Sequence, residues 1–263
     1  MAPDGEGLIR AARAALAAGV ELIVAGGGDG TINAVASEVC GSSVRFGVLP
    51  LGTLNHFAKD LGIPLALDEA IANVAQGRVR KVDVAEVNGR IFLNNSSLGL
   101  YPDIVRDREK QQSRLGRGKW LAAAWATLGA LRRFPFLSLR LAINGKHHAR
   151  RTPFVFIGNN EYSMQGLSIG GRSKLDAGLL SLYMAQRPGR LGLLRFALHA
   201  LRGVLGQERD FDVMLTDRLE ITSRHRRLRV STDGEVTLMA SPLQYRIRPG
   251  ALSVIAPYDN SQQ

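Results

Sequence analysis

The sequence predicts an α/β fold in two parts: an α/β domain on a parallel sheet, then an antiparallel β-sandwich domain carrying helical insertions. Three observations predict it. The apolar run Leu22-Ile23-Val24-Ala25 meets a glycine turn, and Thr31 to Val39 then reads as a helix. A second apolar strand, Val44 to Leu49, ends in another glycine-bearing turn, Pro50-Leu51-Gly52-Thr53-Leu54-Asn55. From about residue 80 the pattern changes to short strands joined by Asn-Gly pairs, a strong hairpin signal.

In chain order, Leu8 to Ala18 is an Ala-rich helix stopped by Gly19. The first strand and glycine turn follow. Leu54 to Leu61 reads as a helix broken by Gly62-Ile63-Pro64, and Asp68 as the cap of a helix ending at Gly77. The domains are therefore expected over 1–80 and 81–263, with the last strand a candidate to return to the first domain. Val79–Val87 and Arg90–Ser97 flank Asn88-Gly89, and a second hairpin turns at Asn144-Gly145. Leu179–Ala185, Asp212–Thr222, Leu228–Thr232, Val236–Ala240, Tyr245–Arg248 and Leu252–Ala256 are further strands. Two helical insertions are expected, Arg106 to Arg133 and Leu191 to Leu205, and Ser261 to Gln263 reads as a frayed tail.

Composition narrows the function. The 263 residues are 45% hydrophobic and 22% charged, enough for two cores. Cys40 is the single cysteine, which excludes a disulfide framework and fits a reducing, cytoplasmic setting. No stretch approaches the ~20 apolar residues of a membrane span, and the first residues lack a signal peptide's pattern. The net charge of +11 favours an anionic partner. The insertion 106–133 is strongly basic and carries Trp120 and Trp125; both insertions are amphipathic, a pattern suited to the surface of an anionic membrane as well as to core packing. Nucleic acid is the weakest partner, because no aromatic platform or reading helix stands out.

The chemistry concentrates in two places. Gly26, Gly27, Gly28 and Gly30 surround Asp29 between a strand and a helix, an arrangement that points backbone N–H groups at an anion. A lone glycine would read as a tight turn; four in five positions favour a phosphate cradle. A carboxylate there would repel phosphate unless a cation intervened, so Asp29 points to Mg²⁺. No Lys-Ser/Thr follows, as a Walker A would require, and no acid is placed for a ribose. Loops at the carboxyl ends of neighbouring strands form the crevice of an open α/β sheet, so the second turn belongs to the same site. Far downstream, Asp233-Gly234-Glu235 places two carboxylates around a glycine. Alone it is a hairpin turn; beside a nucleotide loop it supplies the base that phosphoryl transfer to a hydroxyl requires. The histidines, His147-His148 among them, show no ligand spacing.

Gly27-Gly28-Asp29-Gly30-Thr31, Pro50-Leu51-Gly52-Thr53-Leu54-Asn55, Gly158-Asn159-Asn160 and Asp233-Gly234-Glu235 stand in the order and spacing of the diacylglycerol kinase catalytic-domain family. Over nearly its whole length the chain resembles that family, and the soluble bacterial YegS-like lipid kinases above all. The resemblance implies a Rossmann-like nucleotide domain, of the kind shared with NAD kinases and phosphofructokinases, then a β-sandwich lipid domain. It implies ATP and Mg²⁺ as cofactors and a membrane lipid such as diacylglycerol as acceptor. By position, Gly26, Gly27, Gly28, Asp29, Gly30, Thr31, Asn33, Gly52, Thr53 and Asn55 would hold ATP. Asp29 would reach the catalytic Mg²⁺ through water, and Asp233 and Glu235 would form the acid/base site, with the choice of base open. A peripheral position at the inner face of the membrane, and a homodimer as one possible state, follow from the same resemblance.

Two departures stand out. About 25 residues precede the first loop, so the family's opening strand and its Asn-Pro-type turn are expected to be missing, leaving an exposed sheet edge. The family's Leu-Asp-Asp-Gly reads Leu175-Asp176-Ala177-Gly178 here. The resemblance assigns a structural Mg²⁺ to that loop, with Lys174, Asp176 and Leu179 left as ligands once Ala177 has replaced one of them. Two alternatives remain beside lipid phosphorylation. An NAD kinase shares the Gly-Gly-Asp-Gly loop and would use Asn159-Asn160-Glu161 on a ribose, and a non-catalytic nucleotide- or lipid-binding relative would need no acceptor.

Overall fold

The computed structural model describes residues 5–99, 136–165, 168–172, 174–185 and 211–258. The two basic insertions and the C-terminal tail fall outside the described residues.

The chain opens with α1 (Gly5–Ala17), β1 (Leu22–Gly27), α2 (Asp29–Val39), β2 (Arg45–Pro50), α3 (His56–Asp60) and α4 (Leu67–Gln76). β1 and β2 pair in parallel, with Gly27 opposite Pro50, so their C-terminal turns emerge side by side. α1 and α2 pack on each other, and Ile32, Val35, Ala36 and Val39 of α2 are buried in the first core with Phe46 and Val48 of β2. Asp68 does not cap α4: the extended residue before the helix is Ala66, and Asp68 lies in the first turn, where it complements the helix dipole.

The antiparallel region begins with β3 (Arg78–Val87), β4 (Arg90–Phe92) and β5 (Asn95–Gly99). Arg90–Ser97, expected as one strand, is thus two, broken where Leu93 and Asn94 turn their amides to Asp233. Then come β6 (Leu137–Ile143), β7 (Lys146–Thr152), β8 (Phe154–Asn159), β9 (Tyr162–Gln165), β10 (Ser168–Arg172) and β11 (Leu180–Ala185). The last are β12 (Phe211–Thr216), β13 (Arg218–Ser223), β14 (Arg227–Thr232), β15 (Glu235–Ala240) and β16 (Leu243–Ala256). Asp212–Thr222, read as one strand, divides at Asp217, and its halves join different sheets. The Asn-Gly turns at 88–89 and 144–145 form as expected, with positive φ at all four residues.

β16 joins the two parts. Its first half pairs with β13, its last residues run parallel to β2, and β3 lies antiparallel along both halves. The sequence showed two strands there because Pro249-Gly250 interrupts the pattern; the chain absorbs the pair as an irregularity between Arg248 and Leu252. One sheet therefore runs β1-β2-β16-β13-β6-β7, with β3 and β4 attached, and among the described residues β1 and β7 are its outer strands. A second sheet runs β12-β11-β8-β5-β14-β15. Their facing sides enclose a second core containing Leu141, Ile143, Val155, Leu182, Val230 and Leu243, which makes a β-sandwich. An aromatic group, Phe154, Phe156, Tyr162, Tyr183 and Phe211, forms a third cluster.

Candidate active site

The first loop is built for close backbone approach. α2 starts at Asp29, the residue before it is Gly28, and no side chain caps the helix. The first helical bond is Ile32 N–H to Gly28 carbonyl, at 3.0 Å, which leaves the amides of Asp29, Gly30 and Thr31 without an intrahelical acceptor. Gly27 has no room for a side chain, since a Cβ would stand 2.6 Å from that of Thr31.

The second loop is fastened to the first. Leu51 N–H donates to the Gly27 carbonyl at 3.0 Å. A Cβ on Gly52 would lie 2.4 Å from Gly28 Cα, so the two backbones touch and only glycine fits. Asn55, buried and left-handed (φ 50°), closes the turn: its Oδ1 accepts from Gly52 N–H at 3.0 Å, and its Nδ2 donates to the carbonyls of Gly52 and Pro50. Asp29 Oδ1 accepts the Phe57 amide at 3.4 Å, which ties α2 to α3. Thr53 is exposed at the loop surface, whereas Asn33 is buried in α2 with an Oδ1 that has no partner.

The two downstream carboxylates have different surroundings. Asp233 and Gly234 form the two-residue turn between β14 and β15, with φ of 47° and 86°. The Asp233 carboxylate receives three amides: Leu93 at 2.7 Å, Asn94 at 2.9 Å and Asn95 at 3.0 Å. Burial pushes its pKa up to about 6, against the opposite pull of those amides and of Arg172. Glu235 is exposed, its Oε2 2.5 Å from Arg90 Nη2, and its Oε1 is 3.5 Å from where a Cβ on Gly30 would stand. Glu235 therefore faces the first loop from the second sheet, while Asp233 is bonded into the strand junction behind it.

That junction holds residues that sequence reasoning passed over. The Arg172 guanidinium, fully buried, donates to Asp60 Oδ2 (2.7 Å), to the carbonyls of Leu93 (2.6 Å) and Asn159 (3.0 Å), and to Asn94 Oδ1 (3.0 Å). It also lies 5.3 Å from the centre of the Tyr162 ring. Asp83, also buried, accepts the amides of Gly178 and Gly250. No local pattern marks Arg172 or Asp83, because all their partners are distant in sequence.

The loop 174–179 is organised by these internal bonds. Ala177 N–H donates to Asn160 Oδ1, the Leu179 carbonyl accepts the Asn160 amide, and the Leu175 carbonyl accepts that of Asp83. Lys174 and Asp176 are exposed. Among the described residues no three His, Cys, Asp or Glu side chains gather as a metal cluster. Asn159 is likewise engaged, its Nδ2 donating to the carbonyls of Asp83 and Leu93.

The donor set fits a nucleotide better than it fits a second, structural metal. Uncapped helix amides beside a gap that only glycine permits suit phosphate. The Asp29 carboxylate is a hard oxygen donor of the kind Mg²⁺ takes.

Comparison with known proteins agrees with this geometry. Residues 3–87 match the family model of the diacylglycerol kinase catalytic domain, and residues 103–256 that of the YegS C-terminal NAD kinase beta sandwich-like domain. A Pseudomonas syringae pv. syringae protein named probable lipid kinase YegS-like is 32% identical over 94% of this chain and 79% of its own length. Salmonella gallinarum probable lipid kinase YegS is 31% identical over 92% of this chain and 80% of its own. Among solved structures, a candidate diacylglycerol kinase from Bacillus anthracis str. Sterne superposes with a TM-score of 0.71 at 23% identity, covering 96% of this chain and 82% of that one. Yeast NADH kinase shares the fold at a TM-score of 0.54 and 13% identity, over 92% of this chain and 63% of its own. The chain therefore belongs to the YegS-like family of lipid kinases, which carries the diacylglycerol kinase catalytic domain.

Proposed function

We propose that the protein transfers the γ-phosphate of ATP to a hydroxyl of a membrane glycerolipid such as diacylglycerol, with Mg²⁺ bound. The observation that carries this reading is the placement of Glu235 opposite Gly30: a proton acceptor on the β-sandwich faces a phosphate cradle on the parallel sheet.

When bound, Mg·ATP supplies the transferable phosphoryl group and the charge neutralisation that the transfer needs. The protein's part is positional. The amides of Asp29, Gly30 and Thr31 and the Gly52–Asn55 turn would bind the phosphates, and Asp29 would reach Mg²⁺ from that loop through water. The Glu235 carboxylate takes the proton of the lipid hydroxyl, and Arg90 fixes the side chain in place. Asp233 holds the turn that presents Glu235 through its bonds to the amides of Leu93, Asn94 and Asn95, so it acts by positioning. Phosphorylation of the ribose of NAD is the weaker reading, because Asn159 and Asn160 spend their side chains on internal hydrogen bonds.

The test is transfer of radiolabel from γ-labelled Mg·ATP into vesicles carrying diacylglycerol, monoacylglycerol, phosphatidylglycerol or sphingosine, with NAD as a parallel acceptor. Label in a glycerolipid supports the proposal. Label in NAD alone, or in none of the acceptors while ATP still binds, overturns it.

A further inference from the structure

On the outer face of the first sheet, three arginines stand together for no structural reason. The register sets Arg140 of β6 opposite Ala149 of β7 on one side and Thr222 of β13 on the other. Two residues along, Arg151 of β7 and Arg224 just past β13 flank it diagonally, the one paired with Ser138. Diagonal neighbours of this kind stand roughly 7–8 Å apart, within reach of long side chains. All three side chains are exposed, because the alternate residues Leu139, Leu141 and Ile221 take the buried face.

Like charges so placed repel each other, and the local chemistry does little to relieve them. Among the described residues none of the three arginines forms an ion pair. Glu220, the next outward residue on β13, is the one carboxylate in the adjoining row, and Thr222 Oγ1 donates to it at 3.5 Å. Asp212 is engaged with Arg150, a fourth arginine that also lines the groove around this cluster. Arg151 rests over the Phe136 ring at 5.1 Å, which orients its guanidinium without neutralising it. Around this cluster the surface is concave: a groove of about 540 Å³ is lined by Arg140, Arg151, Arg224, Ser138, Thr222 and Ser223, among others.

We propose that this groove is a phosphate site that seats the headgroup of an acidic phospholipid and holds the protein on a membrane surface. Guanidinium forks match phosphate oxygens in pairs, and the neighbouring hydroxyls can donate further bonds. The groove's shape favours a lipid source over a soluble nucleotide. Its apolar lining is Leu139 and Ala149, and the Arg151 guanidinium covers the nearby Phe136 ring, which leaves that face closed to a base. A lipid headgroup needs no such wall, because the rest of the molecule stays in the bilayer. The overall charge of +11 adds long-range attraction to the same anionic surface. The site is separate from the glycine loops and does not depend on whether the protein transfers phosphate.

The experiment is co-sedimentation of the full chain with phosphatidylcholine vesicles, with and without phosphatidylglycerol, for the native protein and four variants. Arg140→Gln, Arg151→Gln and Arg224→Gln are each expected to weaken binding to the anionic vesicles about fivefold, and the triple variant on the order of a hundredfold. A control lacking the same charge elsewhere, Arg10→Gln with Lys81→Gln and Arg229→Gln, is expected to lose less than about threefold through long-range effects alone. The three single variants carry the test if the triple variant does not fold. Equal losses in the groove and control triples, or no loss in the groove variants, would overturn the proposal. So would saturation of the groove by millimolar inorganic pyrophosphate, read as a thermal shift lost in the variants, with vesicle binding unaffected. That result would assign the site to a soluble phosphate.

Discussion

Arg172 and Asp60 form a buried ion pair, Nε to Oδ2 at 2.7 Å, that joins β10 to the end of α3. α3 follows the Gly52–Asn55 turn, and the other guanidinium nitrogens grip Leu93, Asn94 and Asn159. Leu93 and Asn94 in turn donate to Asp233. One side chain thus ties the glycine-loop end of the molecule to the strand junction behind the Asp233–Glu235 turn. It explains how two parts with separate cores keep a fixed spacing across the site.

Removing one member of such a pair leaves the other charge buried without compensation. Arg172→Met should lower the unfolding free energy by about 3–5 kcal/mol, because it leaves the Asp60 carboxylate buried without its partner and takes a donor from Asn94 Oδ1 and from the Asn159 carbonyl, while the Leu93 carbonyl keeps Asn159 Nδ2. Asp60→Asn should cost less, since Arg172 keeps its other acceptors. Urea midpoints at constant slope check both, and equal midpoints for Arg172→Met and the native chain would refute the linkage.

The contact of Gly28 with Gly52 makes a second prediction. Gly52→Ala places a Cβ 2.4 Å from Gly28 Cα, so one backbone must move and the two loops part. ATP affinity should fall at least about tenfold, in line with the sensitivity of such sites to displacements of about 1 Å. Gly5→Ala, at a position with open space, should bind ATP as the native chain does. Titration calorimetry reads both.

The two glycine loops were legible in the sequence because their chemistry is local: glycines, a carboxylate and a strand end lie within a few residues. The Asp233–Glu235 turn was legible as a pair but not as two roles. The difference lies in the amides of residues 93–95, some 140 positions earlier, and in a loop just over 200 positions before Glu235. Arg172 was illegible for the same reason. The strand errors were also physical. Alternation runs on through Asp217, so a change of sheet left no mark, and Pro249-Gly250 reads as a break where Gly250, at φ 57°, donates its amide to buried Asp83 instead.

The division of roles between the carboxylates is testable by kinetics. Glu235→Gln keeps the size of the side chain but removes the proton acceptor, so kcat should fall by roughly 10²–10⁴ with little change in ATP affinity. Arg90→Gln should act in the same direction but more weakly, since the acceptor remains and only its orientation is loosened. If Glu235→Gln turns over at the native rate, Glu235 is not the base.

Asp233 should show itself in stability as a function of pH. Its folded pKa, about 6, is raised above the unfolded value of 3.8 because burial disfavours the charge. A group raised in this way binds its proton more tightly when folded. Its stabilising contribution is therefore complete below about pH 4 and is lost as pH rises through 6. The span corresponds to at most about 3 kcal/mol, an upper bound for a half-buried residue. The native chain should then lose stability between pH 4 and 6 relative to Asp233→Asn, whose side chain does not titrate. The variant should start lower at every pH, since its Nδ2 would meet an amide donor where an oxygen now accepts. Urea midpoints of both proteins at several pH values give the difference curve. A curve that is flat, or that rises with pH, would mean that the three amides and Arg172 outweigh burial at this carboxylate.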